Sequence, residues 1–390
     1  MESYPDCFYY RDRRFFRFGA HVKIAFLIPG GVDREGVQNI VPCFLWLIEW
    51  LVKNGDEVHV FTLYQERRAA HWKLLGANIH NAGGNHPTFR MLAQFVREHR
   101  RSRFQVIQTD WSLKASLVGA AAGKICRIPL LLHLSGGELV AIPDIRYGDQ
   151  CGLKTRTMFR LAIAASDRVA VVSAPLIEEA RSLNITATRL PFGIAIDKWP
   201  VLRPKRRTPA APLRLLHIAN IIPVKDHQML LDMARTLHEN AIPFELDMLG
   251  QDVTGQNEIQ KRMQQLRLPQ TVRFHGAVPH SDIRRFYERA DVLLVTSRHE
   301  AGPLVALEAA IAGLAVVGTK VGHLAEWAPE AACVVEPGDA QGLAAIVSAL
   351  SLNEDLRLEL AHNAQQRALL EDIPRTSRRF RDLYEEMAAS

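Results

Sequence analysis

The 390-residue chain has few cysteines and no long apolar run. Its five cysteines are scattered and form no CxxC pair, so we expect neither a disulfide framework nor a zinc site, and a reducing compartment. The longest apolar stretch, Ile40–Val52, contains Glu49 and is too short for a membrane span, so it predicts a buried helix. No apolar core follows the N-terminal basic residues, which argues against a signal peptide. We therefore expect a cytoplasmic protein.

The sequence also lacks a G-x-G-x-x-G fingerprint, which excludes the usual dinucleotide-binding turn. It contains no D-x-D motif either. Glu245-Leu246-Asp247 is an E-x-D, but it falls inside a predicted strand. Hydrophobic residues make up 48% of the chain and charged residues 23%, a composition typical of a globular protein.

Short apolar runs alternate with helical segments along the whole chain. This pattern predicts an α/β fold with two doubly wound, Rossmann-like parallel sheets. In the first half, strands are expected at residues 21–28, 57–63, 104–108, 129–134, 168–172 and 186–190, with helices at 37–54, 88–101, 113–126, 153–166 and 175–183. In the second half, strands are expected at residues 213–219, 244–249, 271–275, 291–296, 314–318 and 332–335, with helices after Asp339 and Asn353 and over 374–387.

These elements divide the chain into two domains, 21–197 and 213–373. Residues 198–212 are rich in proline and basic side chains, which indicates a linker. Residues 374–390 form a charged, amphipathic C-terminal helix. Residues 1–20 interleave aromatic and arginine side chains. They suit a peripheral membrane contact at the inner face of the membrane, a disordered extension or a mis-assigned start equally well.

Charge is uneven between the halves. Residues 1–200 carry an excess of eight basic side chains, whereas residues 201–390 carry an excess of two acidic ones. A basic first half suits an anionic acceptor, a membrane surface or a phosphate-rich ligand, and an ordinary solvated surface explains it equally well.

The most informative stretch runs from Asp291 to Thr319 and reads as strand, loop, helix and strand. Glu300 lies in the loop after the strand, where ligands bind in open parallel sheets. Glu308 lies in the following helix, whose other residues are almost all apolar. A carboxylate there is costly unless it is paired or hydrogen-bonded, which favours a functional role over a solvated one.

This stretch resembles the E-x7-E signature of the retaining, nucleotide-sugar-dependent glycosyltransferases of family 4, which have the GT-B fold. The matching segments are Glu300-Ala301-Gly302-Pro303, Leu307–Gly313 and Val316-Val317. Ala301 replaces the usual glycine. The resemblance implies two Rossmann-like domains facing each other across a cleft, an acceptor domain first and a nucleotide-sugar domain second. It also implies that the C-terminal helix, residues 374–390, crosses back to pack on the first domain.

The resemblance also implies a donor site. Lys225 matches the lysine that grips the donor diphosphate, and Asn220 stands where the family usually has arginine, which removes one bidentate cation. Glu300 would bind the transferred sugar and Glu308 the ribose hydroxyls. The residues expected to bind the donor are Lys225, Asn220, Glu308, Gly30, Gly31, Gly250, Val278, Gly302, Pro303 and Leu304.

A histidine of the first domain touches the transferred sugar in the family, and its match here is open. Aligned on Gly136-Gly137-Glu138, the family's histidine falls on Ser135, whereas His133 lies two residues upstream. Residues two apart share a face of a strand, so either side chain could point at the cleft. His133 could equally be a core residue. Catalytic roles are therefore expected for Glu300 and for His133 or Ser135.

The resemblance predicts transfer of a sugar from a nucleoside diphosphate to a hydroxyl of a glycan or lipid-linked acceptor, with retention, as in polysaccharide or glycolipid synthesis. Because D-x-D is absent, the diphosphate charge would be neutralised by Lys225 and helix N-termini, without metal. We expect no other cofactor and no nucleic-acid partner. Two alternatives remain open. One is a nucleotide-sugar epimerase on the same fold, and the other is a non-catalytic nucleotide-sugar binding protein.

Overall fold

The structure is a computed structural model that describes residues 21–37, 39–199, 201–208, 210–253, 255, 257–268 and 270–389. The predictions for residues 1–20 lie outside this part of the chain. Within it, two α/β sheets confirm the predicted GT-B class, with two Rossmann-like units facing each other across a cleft.

The first sheet has the strand order β3-β4-β2-β1-β5-β6-β7-β8 in the described residues. Its strands are β1 Lys23–Ile28, β2 Glu57–Thr62, β3 Ala70–Leu74, β4 Ala77–Asn81, β5 Val106–Asp110, β6 Leu130–Leu134, β7 Arg168–Val171 and β8 Thr188–Arg189. Its helices are α1 Pro42–Lys53, α2 Pro87–Ser102, α3 Leu113–Cys126, α4 Leu153–Ala165 and α5 Ala174–Ser182. The central strand β1 is apolar on both faces because helices cover both sides of the sheet.

The second sheet is parallel throughout the described residues, in the order β11-β10-β9-β12-β13-β14. Its strands are β9 Leu213–Ile218, β10 Phe244–Leu249, β11 Val272–Gly276, β12 Val292–Val295, β13 Ala315–Thr319 and β14 Cys333–Val335. The helices of this half are α6 His227–Glu239, α7 Glu258–Gln265, α8 His280–Arg289, α9 Leu304–Ile311, α10 Gly322–Trp327, α11 Ala340–Leu352, α12 Glu354–Leu369 and α13 Ile373–Ala389.

Two local predictions for the first half were wrong. The helix expected from residue 37 begins at Pro42, where proline takes the first helical turn at no cost in hydrogen bonds. Strands β3 and β4 were not expected, and they pair antiparallel at the edge of an otherwise parallel sheet. Strand β3 alternates in burial, with exposed side chains such as Lys73, and β4 contains the polar residues Asn78, His80 and Asn81, so neither gives a continuous apolar run to detect.

Helix α13 lies against the first sheet rather than the second. Its apolar side chains Phe380, Tyr384 and Met387 are buried in the core formed by β1, β2 and α1. The Tyr384 hydroxyl donates a hydrogen bond to the side chain of Gln108, in β5. The last helix of the chain therefore completes the core of the first domain.

Contacts between the two units close the cleft at one end. Arg298 of the second domain forms a two-pronged ion pair with Asp144 of the first, in which Nη2 lies 3.0 Å from Oδ1. Ser173 Oγ donates to the carbonyl oxygen of Ala301 at 2.6 Å. Both second-domain residues lie in the loop between β12 and α9, so the first domain helps to fix that loop.

Candidate active site

The loop between β12 and α9 holds Glu300 at the carboxyl end of the second sheet. Thr319 Oγ1 donates to the carbonyl oxygen of Ser297 at 2.6 Å, and Ser297 Oγ donates to Glu300 Oε1 at 2.6 Å. The backbone N–H of Arg298 donates to the carbonyl oxygen of Val224 at 2.7 Å. Hydrogen bonds from neighbouring segments thus orient the Glu300 carboxylate before any ligand arrives.

Lys225 forms an ion pair with Glu300 through Nζ and Oε1. Lys225 ends the short 3-10 turn Pro223–Lys225, and Thr296 Oγ1 donates to its carbonyl oxygen at 2.9 Å. The cation expected at the diphosphate and the carboxylate expected at the sugar are therefore adjacent, although 75 positions separate them in the sequence.

Both charged groups line a cavity of about 210 Å³, here called the inner cavity. The N-terminus of α9 borders it through Gly302, Pro303 and Leu304. Among the described residues no side chain caps that helix, so its N-terminus is available to an anion, although the N–H of Ala306 already donates to the carbonyl oxygen of Pro303 at 3.0 Å. By contrast, the carboxylate of Asp226 caps α6 by accepting the N–H of Met229 at 3.1 Å, so Lys225 does not stand before an open helix end.

Two histidines that the sequence analysis missed lie beside the inner cavity. His217 Nδ1 donates to the carbonyl oxygen of Leu294 at 3.0 Å, and its Nε2 lies 3.3 Å from His227 Nε2. Burial lowers the pKa of His217 to about 3 and that of His227 to about 4, so both rings are neutral at pH 7. They tie β9 to α6 without adding charge beside Lys225.

A second opening of about 670 Å³, here called the outer groove, continues from the inner cavity. Both are lined by Ile218, Ala219, Lys225 and Val305. Residues from both domains form the groove, because Ile40 and Pro42 of the first domain face the second-domain loops. Its volume and its junction with the inner cavity suit a ligand whose charged end reaches Lys225.

Besides Lys225, three predicted donor-binding residues line the outer groove: Asn220, Gly250 and Val278. Asn220 Oδ1 accepts the N–H of Gln251 at 3.0 Å, so this side chain fixes the neighbouring loop instead of supplying the missing cation. Gly250 has φ +154°, and a Cβ there would lie 1.8 Å from the carbonyl oxygen of Ala219, so no larger residue fits.

Glu308 lines neither opening. Its side chain is only 2% exposed. Its Oε1 lies 2.7 Å from His280 Nε2, and its Oε2 accepts the hydroxyl of Tyr287 at 2.9 Å. The expectation that this carboxylate is hydrogen-bonded agrees with the geometry, but the partners are protein side chains.

Gly30 and Gly31 also lie outside both openings. The N–H groups of Gly31 and Val32 both donate to Gln65 Oε1, at 2.6 and 2.9 Å. The backbone donors that the glycine turn was expected to offer a ligand are thus occupied by a side chain that follows β2. The segment just after this turn, which includes Asn39, is the part that reaches the outer groove.

His133 is buried inside the first domain. Its Nε2 faces the carbonyl oxygen of Leu190 at 2.8 Å, and its Nδ1 contacts Asp110 Oδ1. Both neighbours accept hydrogen bonds, so this environment favours the positively charged ring, in which both nitrogens donate. Burial opposes that charge, but the charge and hydrogen bond of Asp110 outweigh it and raise the pKa of His133. The geometry favours the core alternative. Ser135 is half-buried, and its Oγ lies 3.5 Å from Asp110 Oδ1.

We expect His133→Ala to lower the free energy of unfolding by about 3–5 kcal/mol, because it leaves Asp110 as a buried carboxylate without its cation. Because the pKa of His133 is raised in the folded protein, its protonation stabilises the fold fully at pH values below the ordinary pKa of 6.5. This stabilisation is lost as the pH rises through the raised pKa. The difference between wild type and variant should therefore shrink at high pH. Urea unfolding at pH 6 and pH 9 measures it, with exposed His362→Ala as control. A variant as stable as wild type at both pH values would contradict the assignment.

A third cavity, of about 580 Å³, lies in the first domain and is here called the first-domain cavity. Trp111, Glu138, Tyr147 and Asp149 line it. Trp111 has φ +33°, a strained conformation for a bulky residue, and such strain is often retained at functional sites. A Cβ on Gly137 would lie 2.8 Å from the Tyr147 ring. Glycine at this position therefore allows the ring to pack directly against the backbone of Gly137.

The carboxylates of this cavity are poorly solvated. Burial raises the pKa of Glu138 to about 7 and raises that of Asp149. Burial also raises the pKa of Tyr147, and the charge of Glu300 adds to that shift. The Tyr147 ring lies 5.8 Å from the His299 ring, next to Glu300 in sequence. The first-domain cavity therefore lies close to the Glu300 loop.

Among the described residues, no group of three or more histidine, cysteine, aspartate and glutamate side chains is arranged to hold a metal ion. None of the helices that the structure describes combines the length and apolarity that crossing a bilayer requires.

The fold agrees with comparisons to known proteins. A model of group 1 glycosyl transferases matches residues 200–367, and a model of a glycosyl transferase 4-like domain matches residues 40–192. Together they span most of the chain. The chain belongs to the group 1 glycosyltransferases with the GT-B fold, and it is a glycosyltransferase.

Individual relatives are distant. An uncharacterized glycosyltransferase of Methanocaldococcus jannaschii is 25% identical over 309 residues, which covers 72% of this chain and 76% of that protein. Glycogen synthase of Mycobacterium tuberculosis is 29% identical over 216 residues, or 53% of this chain and 50% of the relative.

Solved structures with this fold include sucrose-phosphate synthase from Thermosynechococcus elongatus. It has a TM-score of 0.79 and 19% identity, with 95% of this chain and 100% of that chain covered. Anabaena HepE in complex with UDP-glucose has a TM-score of 0.73 and 18% identity, with 94% and 100% covered. At these identities the likeness bears on the fold alone.

Proposed function

We propose that this glycosyltransferase moves a sugar from a nucleoside diphosphate to a hydroxyl group of a glycan acceptor, with retention and without metal. The observation that carries the proposal is the contact between Lys225 and Glu300 in the inner cavity. Glycosyl transfer breaks the bond between the sugar carbon and a phosphate oxygen. A phosphate-binding cation and a sugar-binding carboxylate must therefore lie close together at that bond, and the contact between Lys225 and Glu300 supports these roles.

The donor would lie along the outer groove and end in the inner cavity. Its diphosphate would bind Lys225 and the uncapped N-terminus of α9, and its sugar would contact Glu300. Both sources of positive potential are fixed before binding, which suits the stabilisation of a departing diphosphate. The complex of HepE with UDP-glucose makes UDP-sugars the first donors to test.

The acceptor would bind in the first-domain cavity. Trp111 and Tyr147 offer ring faces against which a sugar can pack, and Glu138 and Asp149 offer oxygens for its hydroxyl groups. Tyr147 connects this cavity to the Glu300 loop, so a hydroxyl held there could reach the transferred sugar. Glycogen synthase among the relatives supports a place in polysaccharide synthesis. A cytoplasmic location and a peripheral membrane contact remain predictions.

The test is a screen of UDP-, GDP- and ADP-sugars with glycan acceptors, in which mass spectrometry follows the nucleotide and the acceptor. NMR follows the configuration of the donor sugar, because epimerisation leaves its mass unchanged. Transfer of sugar mass to an acceptor supports the proposal. An epimerase would change the donor sugar without an acceptor, and a binding protein would change neither, although a donor would still raise its melting temperature. Either result would overturn the proposed reaction. The anomeric configuration of the product, read by NMR, tests retention.

Activity should survive excess EDTA, because in the proposed mechanism Lys225 and the N-terminus of α9 neutralise the diphosphate without a metal ion. The measurement is the initial rate of transfer before and after chelation, with magnesium or manganese added back. Loss of activity with EDTA, restored by either metal, would contradict the metal-independent mechanism and leave the transfer reaction itself intact.

A further inference from the structure

Helices α2, α3 and α4 lie side by side over one face of the first sheet. Their inner side chains, such as Phe95 of α2, Ala115 of α3 and Phe159 of α4, are buried against that sheet. The opposite side of the three helices is exposed in the part of the chain that the structure describes. This outer side, here called the helix layer, combines positive charge with exposed apolar side chains.

The helix layer is strongly basic. Four lysine or arginine residues lie on α2, two on α3 and three on α4, and all nine are exposed. The one acidic residue of these helices, Glu98, pairs with Arg97 and Arg101. Residues 1–200 hold 26 basic and 18 acidic side chains, so 17 of each lie elsewhere in that range. The positive charge of the first half is therefore concentrated on this one surface.

The helix layer also exposes large apolar side chains. The four most exposed large hydrophobic residues of the described first domain all lie on these helices, and they are between 60% and 79% exposed. They are Phe89, Ile125, Leu153 and Leu161. Apolar side chains that gather on one side of a domain mark an interaction surface more often than single exposed ones do.

Helix α4 shows the combination within one element. Its exposed residues Leu153, Thr157, Leu161 and Ala164 recur every three or four positions, whereas Phe159 faces the core. The helix carries three basic residues and no acidic one. A helix with exposed leucines among basic side chains is typical of those that lie in the interface of a membrane.

The apolar side chains decide which anionic partner fits. A soluble acidic polymer would bind the basic side chains and leave the leucines in water. A bilayer that contains anionic lipids offers phosphate groups to lysine and arginine and hydrocarbon to leucine and phenylalanine. Long basic side chains can reach the headgroups while the apolar side chains beside them enter the acyl boundary. An anionic bilayer therefore matches both properties of the surface.

The helix layer adjoins the first-domain cavity. Lys114 at the start of α3, and Lys154 and Met158 in the first half of α4, line that cavity. We propose that the helix layer binds the surface of an anionic bilayer, and that the acceptor held in the first-domain cavity is a lipid-linked glycan of that membrane. The acceptor class rests on the proposed function, whereas the binding of the bilayer does not. The membrane contact is thereby assigned to three described helices.

The first experiment is cosedimentation of the full chain with vesicles of phosphatidylcholine, with and without phosphatidylglycerol as about a third of the lipid. Each basic side chain near an anionic surface raises binding by about fivefold. We therefore expect binding to be at least about tenfold tighter with phosphatidylglycerol, and to weaken as salt is added. Equal binding to both kinds of vesicle, or binding to neither, would overturn the proposal.

The apolar contribution is measured with the double variant Leu153→Ser and Leu161→Ser. It should weaken binding to the anionic vesicles by at least about tenfold, because two side chains that enter the bilayer are lost. It should fold normally, because both leucines are exposed. Leu352→Ser with Leu370→Ser is the matched control, since these leucines are also more than half exposed but lie in the second half of the chain. The control should bind as the wild type does.

The charge contribution is measured with Lys124→Gln and Arg160→Gln together, which should weaken binding by at least about tenfold. Arg378→Gln with Arg379→Gln is its control, because these exposed side chains lie on α13, over the other face of the sheet. If the basic variant lost binding and the leucine variant kept it, the surface would bind through charge alone. That result would overturn the bilayer in favour of a soluble polyanion, for which heparin is the probe.

The acceptor class is tested by transfer to one sugar in two forms, a methyl glycoside in solution and a diacylglycerol glycoside in anionic vesicles. We expect kcat/KM to be at least about tenfold higher for the vesicle form, because binding to the bilayer raises the local concentration of acceptor. The leucine variant should lose this advantage and keep its rate on the methyl glycoside, since neither leucine lines the cavity.

Equal use of both forms by the wild type would overturn the lipid-linked acceptor. Transfer to neither form would remove the proposed function and the acceptor class together, and vesicle binding would still decide whether the helix layer meets a membrane.

Discussion

Replacing Glu300 with alanine is expected to lower turnover by at least about 10²-fold while nucleoside diphosphate still binds. The carboxylate lies in the inner cavity, and Ser297 and Lys225 orient it. We propose that it contacts the transferred sugar, so its loss should be felt mainly in the transition state. Because Glu300 also occupies Lys225, its removal frees that cation for the diphosphate. The dissociation constant of the diphosphate should therefore stay equal or fall.

Steady-state turnover with a saturating donor and calorimetry with the diphosphate measure the two effects separately. Glu336→Ala is a suitable control, because Glu336 is 76% exposed and its Oε1 makes only a long ion pair, 3.7 Å from Lys320 Nζ. Turnover of the Glu300 variant within a factor of three of wild type would remove Glu300 from the catalytic step.

Replacing Lys225 with alanine is expected to weaken nucleoside diphosphate binding by about 1.5–3 kcal/mol, or roughly 10- to 150-fold. The variant loses a charge-assisted bond to phosphate and leaves the Glu300 carboxylate facing the same space without its cation. Asn220 cannot compensate, because its side chain is occupied by the backbone of Gln251. Binding of the nucleoside without phosphates should change little.

Calorimetry with the diphosphate and with the nucleoside checks this expectation. Lys320→Ala serves as the control, because Lys320 is 58% exposed and does not line the inner cavity. If the diphosphate and the nucleoside lost affinity equally, Lys225 would have a general structural role and would not be the phosphate-binding cation.

The stretch from Asp291 to Thr319 shows what the sequence could reveal. Its strand, loop, helix and strand occur as predicted, as Val292–Val295, Leu304–Ile311 and Ala315–Thr319. Each signal there is local: an apolar run, a proline at the helix start and a glycine after its end. The placement of Glu300 at the carboxyl edge of the sheet followed from the same signals.

Contacts between distant residues could not be predicted in this way. Nothing near Glu308 indicates that His280 and Tyr287 would occupy its carboxylate, because the pairs are 28 and 21 positions apart and lie on different helices. The partner of His133 was equally hidden. Asp110 comes from the neighbouring strand β5, and only the parallel register brings the two side chains together.

The position of α13 has a consequence for how the protein is made. Phe380 and Tyr384 of α13 pack in the same core as β1. A strand translated early in the described chain is therefore covered by a helix that is translated more than 300 residues later. A ribosome that has released only the first domain has released a sheet whose apolar face beside α1 is incompletely covered. We therefore expect the nascent first domain to depend on chaperones until synthesis of α13 ends, and late truncations to destabilise the start of the protein.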